Sequence, residues 1–154
     1  IAQVNLISVV RQVVVDFINL DISGKYPIEW LTDSNLNTVI INADKDLIKR
    51  AVSNLIQNSI NHNENGCTIY VAVKEEHGKV CKIVVSDNGV GATDEQVDKL
   101  NNSPHYMVCD ENTSEQRHGL GLLIVKQIAA DHKGTVEIGH SEYGGLEVKI
   151  CLPL

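Results

Sequence analysis

The sequence predicts an α/β two-layer sandwich of the α+β kind: a mixed, largely antiparallel sheet of about five strands with three main helices on one face. Three observations lead there. Apolar residues recur at helical spacing over 5–19, 44–63 and 120–132. Short runs rich in β-branched residues stand between them, bounded by Gly, Asn and Asp. These runs arrive in pairs, unlike the strict strand–helix alternation of a doubly wound sheet.

The first helix carries Leu6, Val9, Val10, Val13, Val14, Phe17 and Ile18 on one side, although its many β-branched residues lose side-chain freedom in a helix. Residues 20–25 turn around Gly24. Residues 26–32 and 37–42 read as two strands of a hairpin joined through Asp33–Asn35. Residues 44–63 give the clearest helix. Asp44 is its N-cap, and Leu47, Ile48, Ala51, Val52, Leu55, Ile56 and Ile60 make its apolar stripe. A second hairpin spans 67–75 and 80–86 across His77-Gly78. A short helix follows from Asp94 to Leu100. Residues 101–118 are polar and aperiodic and read as a long mobile loop, of a length that is usually either functional or disordered. The last helix, 120–132, stops at Gly134 as its C′ residue, and a closing hairpin pairs 135–141 with 146–152 around Gly144-Gly145.

Composition bounds the function. A chain of 154 residues with 43% hydrophobic residues fits one domain, 1–154, with its own core. One Trp and one Phe leave that core aliphatic. The net charge of −7 argues against a nucleic-acid surface, yet not against a nucleotide held by backbone N–H groups, a metal ion and a few cations. Cys67, Cys81, Cys109 and Cys151 form no CxxC pair and read as reduced thiols of a cytoplasmic protein. His105 and Cys109 lack two further ligands for zinc. No apolar run approaches the ~20 residues of a membrane span, so no direct membrane contact is expected. The sequence opens on Ile1 rather than Met and reads as a fragment.

Three pieces carry chemistry. Asn54, Asn58, Asn61 and His62 recur on one side of the long helix. Asn is a middling helix former, and its amide oxygen is a hard donor suited to Mg²⁺; a solvated polar face is the plainer alternative. Asp87-Asn88-Gly89-Val90-Gly91 follows a strand directly. It sets a carboxylate at the sheet rim, able to accept from an exocyclic amine, beside glycines that let the backbone approach a flat ligand. DNG is equally ordinary turn chemistry. His118-Gly119-Leu120-Gly121-Leu122 enters a helix, where exposed N–H groups and the positive dipole end attract phosphate; ordinary helix starts use glycine too.

In order and separation, these pieces resemble the N, G1 and G2 boxes of the GHKL nucleotide-binding superfamily, and within it the catalytic domains of sensor histidine kinases. The N box is NLIQNSINH (Asn54 to His62), the G1 box DNGVG (Asp87 to Gly91), and the G2 box GLGLLIVKQI (Gly119 to Ile128). The tail GTVEIGHSEYGGLEVKICLPL is similar to the family's closing hairpin. The resemblance implies a Bergerat-type ATP-binding fold with ATP and Mg²⁺ as cofactors. It implies Asn58 as the Mg²⁺ ligand, supported by Asn54, and Asp87 as acceptor for the adenine amine in a pocket shaped by Gly89 and Gly91. It also implies His62 against the nucleotide, 101–118 as an ATP lid, Gly119 and Gly121 around the phosphates with Leu120 between them as a nucleotide contact, and Leu100 and Leu122 along the base pocket, with simple core as the commoner role for such leucines.

The sequence departs from that pattern in places. Asn61 stands where the family often has Lys; Arg117 offers a replacement cation for the phosphates, with a solvated lid residue as the even alternative. Gly145-Leu146 replaces the usual Gly-Thr. Related hydrolytic ATPases carry a Glu where Asn54 stands, and an amide cannot take water's proton, so a kinase is favoured over a hydrolase. No His here has the neighbourhood of the family's phosphoacceptor. The resemblance therefore implies ATP binding without self-phosphorylation by this fragment, γ-phosphate transfer to a histidine on separate dimerisation helices in a full-length homodimer, and a response regulator downstream. An anti-sigma-factor-type Ser/Thr kinase and a catalytically silent nucleotide-binding module stand as alternatives.

Overall fold

In the computed structural model, the described residues are 1–102 and 114–154, with side chains for 1–102 and 121–154. The elements run β1 (Ala2–Asn5), α1 (Leu6–Leu20), β2 (Ile28–Trp30), β3 (Ile40–Ala43), α2 (Lys45–His62), β4 (Ile69–Glu76), β5 (Val80–Asp87), α3 (Asp94–Asn102), α4 (Ser114–Asp131), β6 (Thr135–His140) and β7 (Leu146–Pro153).

Five strands form the main sheet in the order β2-β4-β5-β7-β6. Only β2 with β4 is parallel; the other neighbours are antiparallel. Strand alternation sorts its side chains. Val73, Ile83 and Ile150 lie side by side across β4, β5 and β7, as do Val71, Val85 and Val148. All six are buried in the core, together with the apolar faces of α1, α2 and α4. The intervening positions carry ions and rings: Lys82 pairs with Glu76 at 3.2 Å, Lys149 with Glu147 at 3.7 Å, and Tyr70 stacks on Tyr143. Helices thus cover one face.

The helix ends follow from their caps. Asn5 Oδ1 accepts from the Ile7 N–H to start α1, and also from Val39 N–H, 34 residues away. Asp44 caps α2 by accepting from Asp46 and Leu47 N–H, as its residue type predicts. His132 joins α4 to that same corner. Its Nδ1 lies 2.8 Å from the Ile128 carbonyl, and Asp44 N–H donates to its Nε2 at 3.0 Å. A main-chain N–H can only donate, so Nε2 is the acceptor and the ring proton sits on Nδ1.

The structure corrects three sequence expectations. Residues 26–42 are not a hairpin: β2 joins the main sheet beside β4, and β3 pairs with β1 in a separate two-stranded sheet. Composition marks a strand, not its partner, and β1 is too short to announce itself. The last helix starts at Ser114 rather than 120. Ser-Glu-Gln-Arg is a competent helix opening that carries no apolar period. Its C′ residue is Lys133, at φ 62°, not Gly134. Lys133 N–H reaches the Ala130 carbonyl and Gly134 N–H the Ala129 carbonyl, a Schellman closure. Gly134 serves closeness instead, since a Cβ there would strike the Cys151 carbonyl of β7. The His77-Gly78 turn is as expected. Both residues have positive φ, at 55° and 66°, and Lys79 N–H bonds the Glu76 carbonyl, a type I′ closure.

Truncating the core should outweigh breaking the surface pair. Ile83→Ala is expected to lower the unfolding free energy by about 2–5 kcal/mol in urea titration. Lys82→Ala, at a partly exposed ion pair, should cost under about 1 kcal/mol.

Candidate functional site

The candidate site is built on the second half of α2. Its apolar stripe, Ile48, Val52, Leu55 and Ile56, is buried, which turns the flanking amides toward α4 and the turn after β5. Asn58 is 5% exposed, a costly place for an amide without partners. Its Nδ2 and that of Asn54 are buried and have no hydrogen-bond partner among the described residues. Buried polar atoms are nearly always satisfied, so two such N–H₂ groups one helical turn apart point to an acceptor outside the described residues. Gly121 of α4 lies against the Asn58 amide; a Cβ there would come within 2.8 Å of Nδ2 and closer to Oδ1. Asn61 parts from this group. It is exposed and accepts from Gln57 Nε2.

Asp87 ends β5 at the sheet rim and is 2% exposed. Its Oδ1 accepts from Gly89 N–H at 2.9 Å and Leu146 N–H at 3.3 Å, while its main-chain carbonyl accepts from Gly145 N–H. Two backbone donors therefore hold the carboxylate in place. Gly145 packs on it so closely that a Cβ would overlap Oδ1. The turn that follows touches α2 twice. Val90 N–H donates to Asn63 Oδ1 at 2.8 Å, and His62 Nε2 lies 2.9 Å from the Gly91 carbonyl. Gly91 has φ +68°, and a Cβ there would sit 3.1 Å from the Gly144 carbonyl.

The structure thus gathers Asn54, Asn58, His62, Asp87, Gly89, Gly91 and Gly121 around the end of α2. Leu122 belongs instead to the hydrophobic core at 1% exposure. Gly119 lies inside α4, which opens at Ser114, so the expected helix-start cradle at Gly119 is corrected: the N-terminal turn of this helix falls five residues earlier. The side chains of Arg117 and Leu120 lie outside the described residues, as do His105, Cys109 and most of the 101–118 stretch read as a lid.

Sequence reasoning missed Asn63, Asn101 and Lys126. Asn63 followed the apolar stripe and read only as a helix end. Asn101 exchanges two hydrogen bonds with the main chain of Ile138, fixing α3 against edge strand β6. Lys126 of α4 donates to the Leu100 and Asn101 carbonyls at the end of α3. Burial holds its ammonium below the ordinary lysine value. Burial also pushes the Cys67 thiol, near Asp87, up to about 11, leaving it neutral and unreactive at physiological pH.

A concavity of about 410 Å³ lies between α1 and α2 and is lined by Phe17, Leu20, Ile22, Tyr26 and Ile60. It is mainly apolar, and the carboxylate of Asp21 there is already engaged by Ser23, Gly24 and Tyr26. Among the described residues no group of three or more His, Cys, Asp or Glu could hold a metal ion, and no helix is long and apolar enough to cross a membrane. A cation at the α2 site would lean on amide oxygens and on oxygens brought by its ligand.

The crowding of Gly121 makes a signed prediction. Gly→Ala inside a helix ordinarily gains about 0.5–1 kcal/mol. Gly121→Ala should instead lower the melting temperature, because its methyl group displaces the Asn58 amide. A raised melting temperature in differential scanning calorimetry would remove that contact from the site.

Comparison with known proteins shows the family and the fold. The model of the family described as "Histidine kinase-, DNA gyrase B-, and HSP90-like ATPase" matches residues 43–154. Sporulation kinase B of Bacillus subtilis is 35% identical over 115 residues, 75% of this chain and 26% of that protein. Signal transduction histidine-protein kinase BaeS of Escherichia coli is 25% identical over 118 residues, 77% of this chain and 25% of that protein. The chain therefore spans about a quarter of the length of these relatives. In fold it is similar to the catalytic domain of histidine kinase ThkA, with TM-score 0.79, 23% identity, and coverage of 99% of this chain and 96% of that one. It is likewise similar to the ATP-binding domain of PrrB from Mycobacterium tuberculosis, with TM-score 0.76, 20% identity, and coverage of 99% and 96%. With a two-layer fold, a carboxylate buried at the sheet rim and buried amides on the neighbouring helix, the chain belongs to the family of histidine kinase-, DNA gyrase B- and HSP90-like ATPases.

Proposed function

We propose that residues 1–154 are a single ATP-binding catalytic domain of a sensor histidine kinase, holding ATP with Mg²⁺ for transfer of the γ-phosphoryl group to a histidine on separate dimerisation helices. The observation that carries this reading is the pair of buried amide nitrogens, Asn54 Nδ2 and Asn58 Nδ2, that have no partner among the described residues, with Gly121 against the Asn58 amide. Each amide offers an N–H₂ to a phosphate oxygen and an oxygen to a cation, which fits a Mg²⁺–phosphate ligand without a carboxylate cluster. Asn58 is the Mg²⁺ ligand in this reading, and Asn54 supports the metal or a phosphate. Held there, the metal ion would supply positive charge that offsets the phosphates.

The chain's own residues then divide the labour. Asp87 accepts from the exocyclic amine of adenine, its orientation fixed by Gly89 and Leu146 N–H groups. Gly91 and Gly145 keep the adjoining walls free of side chains. Arg117, ahead of Gly119 and Leu120, supplies positive charge to the phosphates from the lid side. Such a site works by positioning and charge compensation, which phosphoryl transfer chiefly needs. Hydrolysis is disfavoured, since Asn54 has no basic site for a proton. The relatives' names also favour the histidine kinase over the anti-sigma-type and silent alternatives. A response regulator is the downstream partner in this reading, supported by the complex of ThkA with its response regulator protein TrrA. The cytoplasm is the compartment it implies.

Two substitutions test the assignment by isothermal titration. Asn58→Ala should weaken Mg-ATP binding by about tenfold or more, with circular dichroism unchanged. Asp87→Asn should reduce the preference for ATP over GTP by a similar factor. Wild-type protein that binds neither nucleotide would overturn the reading.

A further inference from the structure

Asn63, at the C-cap of α2, does a job that no ligand contact describes. Its side chain is 3% exposed. Nδ2 donates to the Ser59 carbonyl at 2.8 Å, and Oδ1 accepts from Val90 N–H at 2.8 Å. The reverse amide orientation would set donor against donor and acceptor against acceptor, so the chemistry fixes it. One side chain therefore satisfies a carbonyl in the last turn of a helix and an N–H in a turn 27 residues away. Its own backbone is held as well: Tyr26 Oη donates to the Asn63 carbonyl at 2.7 Å, and Gly66 N–H at 3.0 Å.

Gly89 takes on a new meaning beside it. Its φ is not in the left-handed region, so no turn conformation demands glycine there. A Cβ on Gly89 would instead overlap the Asn63 amide. The missing side chain makes room for Asn63. Gly89 N–H, in turn, donates to Asp87 Oδ1 at 2.9 Å. The contacts run without a break from Ser59 through Asn63 to Val90 and Gly89, and from Gly89 to the Asp87 carboxylate.

We infer that Asn63 is a positioning residue for base recognition: it sets the height of the 88–91 turn over α2 and, through Gly89, the orientation of Asp87 toward the purine. This rests on the proposed function, and it adds a specificity role to a buried residue whose amide is taken up by Ser59 and Val90. Losing the tether frees the turn, and with it the angle at which the carboxylate meets an exocyclic amine. A misplacement of this kind costs affinity for the correct base more than for the wrong one.

Titration of Mg-free ADP and GDP into wild type, Asn63→Leu and Asn63→Asp tests it, alongside thermal melts. Asn63→Leu should raise the ADP dissociation constant about tenfold and narrow the ADP-over-GDP preference. Asn63→Asp keeps the acceptor for Val90 N–H and should retain part of that preference. Variants that melt earlier yet keep the wild-type ADP affinity and base preference would overturn the inference, leaving Asn63 a stabiliser only. If Asn63→Leu does not fold, Asn63→Asp decides alone: a narrowed preference supports the role, an unchanged one overturns it. Wild-type protein that binds no ADP would overturn the functional reading itself, whereas variants that bind like wild type overturn only this step.

Discussion

The rest of the structure depends on how α2 lies on the sheet. Its stripe from Ile48 to Ile56 must leave water, and the buried Val71, Ile83 and Val85 of β4 and β5 share its core. Each such side chain contributes about 1.5–3 kcal/mol on burial, so the helix has little freedom to roll. Fixing the stripe fixes its flank. Asn58 is then carried into the interior beside Gly121, and the final turn, His62 and Asn63, is brought against the backbone after β5. Apolar burial thereby positions the polar groups, which on their own could not hold a buried amide in place.

The second constraint is the rim of β5. Asp87 is at once the last strand residue and the anchor for two neighbouring loops, through Gly89 and Leu146 N–H groups. Gly145, also bonded to its carbonyl, shows how closely the β6–β7 turn approaches. A carboxylate fixed by main-chain donors cannot swing between rotamers, and a fixed acceptor is what discrimination between bases requires. In the proposed reading, the group that anchors the two loops is also the one that meets the base.

Much of this was legible in the sequence, and the losses have physical causes. Asp44 announced α2, because a capping carboxylate before an apolar stripe has one sensible use. His77-Gly78 announced its hairpin through tolerance of positive φ. Asn58 and Asp87 were visible as polar groups where helix and strand patterns do not call for them. Partnership was not visible: 26–32 and 37–42 looked like mates, but strand pairing is settled by tertiary packing. The opening turns of α4 were missed because exposed helix has no apolar period. Asn63 was missed because its work is done across 27 residues of chain, to a backbone N–H that no side-chain motif advertises. Gly89 was seen, but its glycine identity was credited to ligand approach when the Asn63 amide already fills that space.

The central claim is that one nucleotide is held jointly by the amide flank of α2 and the turn after Asp87. Hydrogen exchange with and without Mg-ADP addresses it directly, since backbone amides report each element separately. The account predicts that added nucleotide slows exchange in the last two turns of α2 and at residues 88–91 together, with the same concentration dependence. Protection confined to one of these segments, or appearing at different concentrations in the two, would contradict it.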